Sequence, residues 1–155
     1  MALPKIDVPT YEVELPLSKK KINFRPFLVK EQKNLMMAIE ANDKDTIERN
    51  IKQVLHNCTL TENIVIEDLP VVDVEYYFLH LRARSVGEVV QNKYICNNEV
   101  DDKECENVME TSINLLDIKL ANFEKSNDVI EIDEKISVKL RYPALSSLND
   151  LQKVD

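Results

Sequence analysis

Residues 69–96 read LPVVDVEYYFLHLRARSVGEVVQNKYIC, and they hold the longest helical pattern, the single glycine and the first cysteine of a polar loop. From Asp73, the apolar residues Val74, Tyr77, Phe78 and Leu81 fall at the i, i+3, i+4, i+7 spacing of a helix with one buried face. Pro70 and Asp73 supply start signals. Gly87 supplies the stop, because a residue with positive φ after the last turn is cheapest for glycine. Beyond it the period changes to two: Val89, Gln91, Lys93 and Ile95 alternate with Val90, Asn92, Tyr94 and Cys96, which predicts a strand.

Working outward toward the N-terminus, residues 1–9 carry two prolines and little periodicity, as in an extended arm. Tyr11, Val13 and Leu15 alternate with Glu12 and Glu14, then Pro16 and the basic turn LSKKK lead to Ile22, Phe24 and Phe27, a first β-hairpin. From Leu28 the pattern is helical, with Leu28, Gln32, Leu35, Met36 and Ile39 on one face. Asn42 or Asp43 closes that helix and opens a second, in which Ile47, Ile51, Val54 and Leu55 recur at helical spacing. The turn HNCTLTEN, residues 56–63, ends this helical pair.

On the C-terminal side, residues 97–107 form an acidic loop flanked by cysteines. A strand is expected around residues 111–118, reaching as far as Leu120, and residues 121–128 read as a loop. Residues 129–132 and 136–140 form a second hairpin turning at Asp133 and Glu134, and Leu145, Leu148 and Leu151 mark a short terminal helix. The sum is one α+β domain over residues 1–155: an N-terminal β-hairpin, a helical pair, a central helix, then a mainly antiparallel sheet and a short C-terminal helix.

Composition narrows function. The chain has 155 residues, 20 basic against 28 acidic, for a formal net charge of -8, so non-specific binding to nucleic acid or anionic membranes is disfavoured. One glycine in the whole chain excludes the glycine-rich phosphate loops and dinucleotide fingerprints that nucleotide chemistry requires. No stretch reaches the ~18 apolar residues of a membrane span, and the N-terminus lacks a signal-peptide run, so a chain made and kept in a cytoplasm is expected. Three cysteines, an odd number, argue against a disulfide framework.

Four constellations carry candidate chemistry. Cys96 and Cys105, completed by His56 and Cys58, are donors suited to zinc, but gaps of this kind do not match paired CxxC knuckles, and free or buried thiols are the plainer reading. A Cys–His nucleophile pair, His56 with Cys58 or His80 with Cys96, lacks a visible oxyanion donor and orienting partner, so no catalytic residue is assigned. Arg82 and Arg84 point to different faces of their helix and form no anion clamp. The acidic loop lacks the central glycine of a calcium loop and reads as a solvated or docking segment.

The opening ALPKIDVPTYEVELP, the segment FRPFLVKEQKNLMMA, the HNCT turn and above all LPVVDVEYYFLHLRARSVGEVV followed by a strand ending in cysteine resemble the baseplate hub subunit family of T-even-type contractile-tailed bacteriophages, over essentially the whole chain. The resemblance implies a non-enzymatic role in tail assembly, as a hub subunit or a hub-assembly factor. It implies other hub or tape-measure proteins as partners, and no nucleic acid, membrane or small-molecule substrate. The implied location is the host cytoplasm during assembly and the tail baseplate of the virion. No cofactor and no catalytic residue carry over. The competing expectation is a small zinc-binding regulator or zinc-dependent hydrolase built on the Cys96/Cys105 loop. For partner contact the candidates are Tyr76, His80 and Arg84 on the central helix, and Arg25 and Phe27 flanking Pro26, since aromatic and arginine side chains dominate interface hot spots.

Overall fold

The computed structural model describes residues 8–100, 103–120, 128–133 and 135–147. In order they form β1 (Tyr11–Glu14), β2 (Lys21–Phe24), α1 (Val29–Ala41), α2 (Lys44–Cys58), a 3-10 turn (Ile66–Asp68), α3 (Val71–Val86), β3 (Val89–Ile95), β4 (Glu99–Val100), β5 (Lys103–Glu104), β6 (Val108–Asn114), a second 3-10 turn (Leu115–Asp117), β7 (Val129–Asp133) and β8 (Ile136–Lys139). The α+β class and the expected order of elements hold. The strands do not merge into one sheet, however: β1 with β2, β3 with β6, β4 with β5 and β7 with β8 are separate antiparallel pairs.

The core lies where β1 and β2 meet α2 and α3. Alternation along the hairpin turns Val13, Leu15, Ile22 and Phe24 inward, while Glu12 and Lys21 pair on the outside at 3.0 Å. The inward side chains join Val54, Leu55 and Cys58 of α2 with Val74, Tyr77 and Leu81 of α3, and Ile66, Leu69 and Leu145 complete the cluster. Phe24 meets Tyr77 edge-on at 5.4 Å, and the Tyr77 hydroxyl reaches Thr59 Oγ1 at 3.0 Å, so the largest core ring has a partner for its polar end. Main-chain bonds join the end of β2 to the end of α2: Arg25 N–H donates to Cys58 O, and Leu60 N–H to Asn23 O.

Asp73 stands in the first turn of α3, after the N-cap Pro70, and does more than mark the helix start: its carboxylate is wholly buried and accepts N–H bonds from Leu17 at 2.8 Å and Ser18 at 2.9 Å in the β1–β2 turn. The orphan N–H at the start of α3 is satisfied from elsewhere, Val71 donating to Pro143 O, which docks the chain after β8 beside Pro70. In α1 the buried face is Glu31, Leu35 and Ala38, whereas Met36 and Ile39 of the expected face lie in solvent. Finally, α2 continues through the HNC of the expected turn to Cys58.

After α3 the chain builds a long arm. Val89 faces Asn114 and Ile95 faces Val108; then Cys96 N–H donates to Asn107 O, Cys105 N–H donates to Asn98 O, and Glu99 faces Glu104. One register therefore runs through β3, β4, β5 and β6 with no inserted residue, interrupted only where Glu106 adopts φ 46°. At about 3.4 Å per residue the arm is about 40 Å long. Part of the acidic loop is thus strand-paired, and β6 begins at Val108 and ends at Asn114, short of the expected Leu120. Leu115 ties the base of the arm to the body, buried and donating its N–H to Glu88 O. A terminal helix begins at residues 145–147; Leu148 and Leu151, residues 121–127 of the loop expected at 121–128 and most of the N-terminal arm lie outside the described residues.

Two substitutions test this frame. Asp73→Asn keeps the shape but turns one acceptor into a donor facing an N–H, and should cost about 2–4 kcal/mol in urea unfolding with an unchanged m-value. Gly87 has φ 143°, and a Cβ built there would meet nothing within 4 Å. Gly87→Ala should therefore show a purely conformational loss of about 1–3 kcal/mol, readable as a lowered Tm.

Candidate interaction surface

The four zinc candidates are dispersed in environment. Cys58 is fully buried in the core, and burial pushes its thiol up to about 11. His56 Nε2 lies 2.9 Å from Glu67 Oε1 on the surface, and that pairing holds the Glu67 carboxyl below its ordinary value. Cys96 and Cys105 sit on the arm as free thiols. Each pairs with a different residue across the ladder, leaving them diagonal to one another. Among the described residues, no three His, Cys, Asp or Glu side chains gather as a metal ion would need.

The partner-contact candidates are better defined. Arg25 forms a two-pronged pair with Glu31, at 2.7 Å and 3.1 Å, and also donates to Pro26 O; Glu31 in turn accepts the Leu28 N–H that opens α1. Hydrogen bonding from Arg25 holds the Glu31 carboxyl below its ordinary range despite burial. Phe27 packs against the core while its N–H donates to Ser85 Oγ at 3.0 Å. These two residues fix the junction between β2 and α1. Tyr76, His80 and Arg84 recur every fourth residue on one side of α3. Tyr76 and His80 rings lie 4.5 Å apart, and Arg84 sits 4.8 Å over the Tyr11 ring while pairing with Glu88 at 2.6 Å. Burial, with Arg84 nearby, lowers the His80 pKa and favours neutral imidazole, whose Nε2 has no hydrogen-bond partner among the described residues.

Between α2 and α3 runs a groove of about 340 Å³ whose walls are Ile47, Ile51, Val71, Val74, Phe78 and Leu145, rimmed by Lys44, Glu48, Lys52 and Glu75. Its walls are aliphatic and aromatic and its charged groups stand at the rim, so it offers apolar contact.

The larger feature is uncovered apolar surface, which sequence periodicity alone does not separate from core. On α1, Val29 is 82% exposed, and Leu28, Met36 and Ile39 are exposed along the same stripe. On the β7–β8 hairpin, Ile130 pairs across from Val138, Ile136 and Leu140 continue that face, and Ile132 stands at the bulge, all exposed. The other face carries Glu131, Ser137 and Lys139 with Val129 half-buried at its start, so the aliphatic side is the one to be covered.

A family model described as T4 bacteriophage base plate protein matches residues 8–155. The chain belongs to this family. No curated protein and no solved structure matches it. For a phage baseplate protein, surface that adheres to neighbouring tail proteins is the expected working part, and among the described residues no helix is long and apolar enough to cross a membrane.

One residue of this surface has a readable titration. Because folding lowers the His80 pKa from 6.5, the unfolded chain binds the proton more readily. The stability this contributes is complete above pH 6.5 and is lost as pH falls through that value toward the folded pKa. His80→Gln should flatten that part of the stability–pH curve, measured by urea unfolding at stepped pH.

Proposed function

We propose that this baseplate protein is a non-enzymatic subunit of the baseplate hub, working through contacts with other hub or tape-measure proteins during tail assembly and then residing in the virion tail. The observation that supports it is the aliphatic face of β7–β8: Ile130, Ile132, Ile136, Val138 and Leu140 stand in solvent on a two-stranded hairpin, an element that is marginal alone and gains stability when another surface covers it. Tyr76, His80 and Arg84 contribute a second contact on α3, where the Tyr76 and His80 rings touch and Arg84 lies over the Tyr11 ring, so these groups lose little freedom on binding. Arg25 and Phe27 act behind it, holding α1 at its angle. The companion reading within the same proposal is an assembly factor that leaves before the tail is complete.

Quantitative mass spectrometry of purified particles and of hub intermediates separates these. A fixed copy number in particles is the result expected of a subunit. Presence in intermediates alone makes the chain an assembly factor, and absence from both overturns the proposal. Ile130→Asp with Ile136→Asp should leave the free energy of unfolding within about 1 kcal/mol of the parent, as surface changes do, while abolishing incorporation.

A further inference from the structure

We infer that the long β3–β6 arm is the docking element for a different, basic protein of the baseplate, which accepts it as added strand and covers its apolar middle; this rests on the baseplate reading above. The arm's side chains are described over residues 89–98 and 105–114, and none of those in β3 or β6 is buried. Its middle is nevertheless apolar on both faces. Tyr94 and Met109 face each other on one side, 52% and 51% exposed, and Ile95 and Val108 on the other, 64% and 53% exposed. The only charged cross-strand pair there, Lys93 with Glu110 at 2.6 Å, is fully solvated and adds little.

A ladder of two strands also leaves the outer N–H and C=O groups of both strands unpaired, the template that strand addition uses. Proteins usually blunt such edges with short strands, prolines or repeated charge; β3 and β6 are seven residues each and carry no proline. Charge selects the occupant. Beyond the apolar middle the described strands and their approach carry Glu99, Glu104 and Glu106 against Lys103 alone. Two copies of a chain of net charge -8 brought together along these arms would repel, which disfavours a homodimer and equally a phosphate backbone or anionic bilayer. A groove with apolar walls, a free strand edge and lysines or arginines at its far end satisfies every group on the arm.

The test places a photoreactive benzoylphenylalanine at Tyr94, and separately at exposed Gln53 on α2 as a control, in full-length chain supplied to cells infected with phage lacking a functional copy. Irradiated hub intermediates and baseplates are then analysed by mass spectrometry. The expected result is an adduct at position 94, absent at 53, joining the arm to a lysine- or arginine-rich segment of another tail protein. Its yield should fall about tenfold in Glu106→Lys, and by a similar factor when intermediates are reassembled in 1 M rather than 0.1 M salt. Glu106 is exposed, so its variant should fold; the salt series on the parent chain stands if it does not. An adduct to a second copy, an adduct indifferent to both charge and salt, or no adduct from a chain that is present in baseplates overturns the arm's assignment and leaves the baseplate reading intact. Absence of the chain from intermediates and baseplates overturns both.

Discussion

Everything in the body of the molecule is referred to a buried carboxylate. Asp73 lies in the first turn of α3 with no exposure, and its two oxygens each accept one backbone N–H from the turn that joins β1 to β2. A carboxyl group in that position is tolerable only because both oxygens are occupied; left with one partner, it would carry a desolvation cost without its compensation. The arrangement is geometrically exacting. It sets the distance and rotation of the hairpin on α3, and so decides that Val13, Leu15, Ile22 and Phe24 meet Val74, Tyr77 and Leu81. The basic turn, Lys19 and Lys20 included, is held beside the helix that the rest of the chain crosses, and the helix start itself is closed by Pro143 from the far end of the sequence.

A second clamp orients what lies outside the core. Arg25 and Glu31 are paired with little exposure, and Glu31 also receives the N–H of Leu28, so a single carboxylate links the exit from β2 to the entrance of α1. This explains the rotation of α1. Hydrophobicity by itself would turn Leu28, Met36 and Ile39 inward; instead the charged pair, with Leu35 and Ala38, occupies that side and the apolar stripe is presented outward. Breaking one partner of a nearly buried pair costs more than burying a few methyl groups would gain, so the electrostatic constraint wins.

The sequence was most legible where pattern and burial coincide. The face of α3 carrying Val74, Tyr77 and Leu81, the hairpin alternation, the Asn42–Asp43 boundary and the break at Gly87 follow from periodicity and capping chemistry, and they stand in the structure as read. Asp73 was legible as a first-turn acid but not as a tertiary acceptor, because its partners lie more than fifty positions earlier and are main-chain groups with no sequence signature. The arm was cut short for a related reason: acidic, asparagine-rich residues have low strand propensity, and only the register set by β3 and β6 carries the pairing through them. The cysteine and histidine candidates failed to converge because closeness along the chain says little about closeness in space once a helix end, a core and a protruding hairpin intervene.

The misassigned face of α1 has a more general cause. Periodicity reports that a stripe is meant to be covered, and not by whom. In a chain that folds alone the two statements coincide, because the only cover available is its own core. In a baseplate protein they separate, and the positions at which an intramolecular reading fails, the α1 stripe, the β7–β8 face and the middle of the arm, are those where apolar alternation is well formed and burial is missing. Three such surfaces on separate elements exceed the scattered apolar exposure of an ordinary monomer. Their separation also limits what any one neighbour can cover, since a helix stripe, a sheet face and a two-edged ladder ask for three different geometries of contact. A chain of this size carrying all three offers separate surfaces for contact with other proteins of the tail and baseplate.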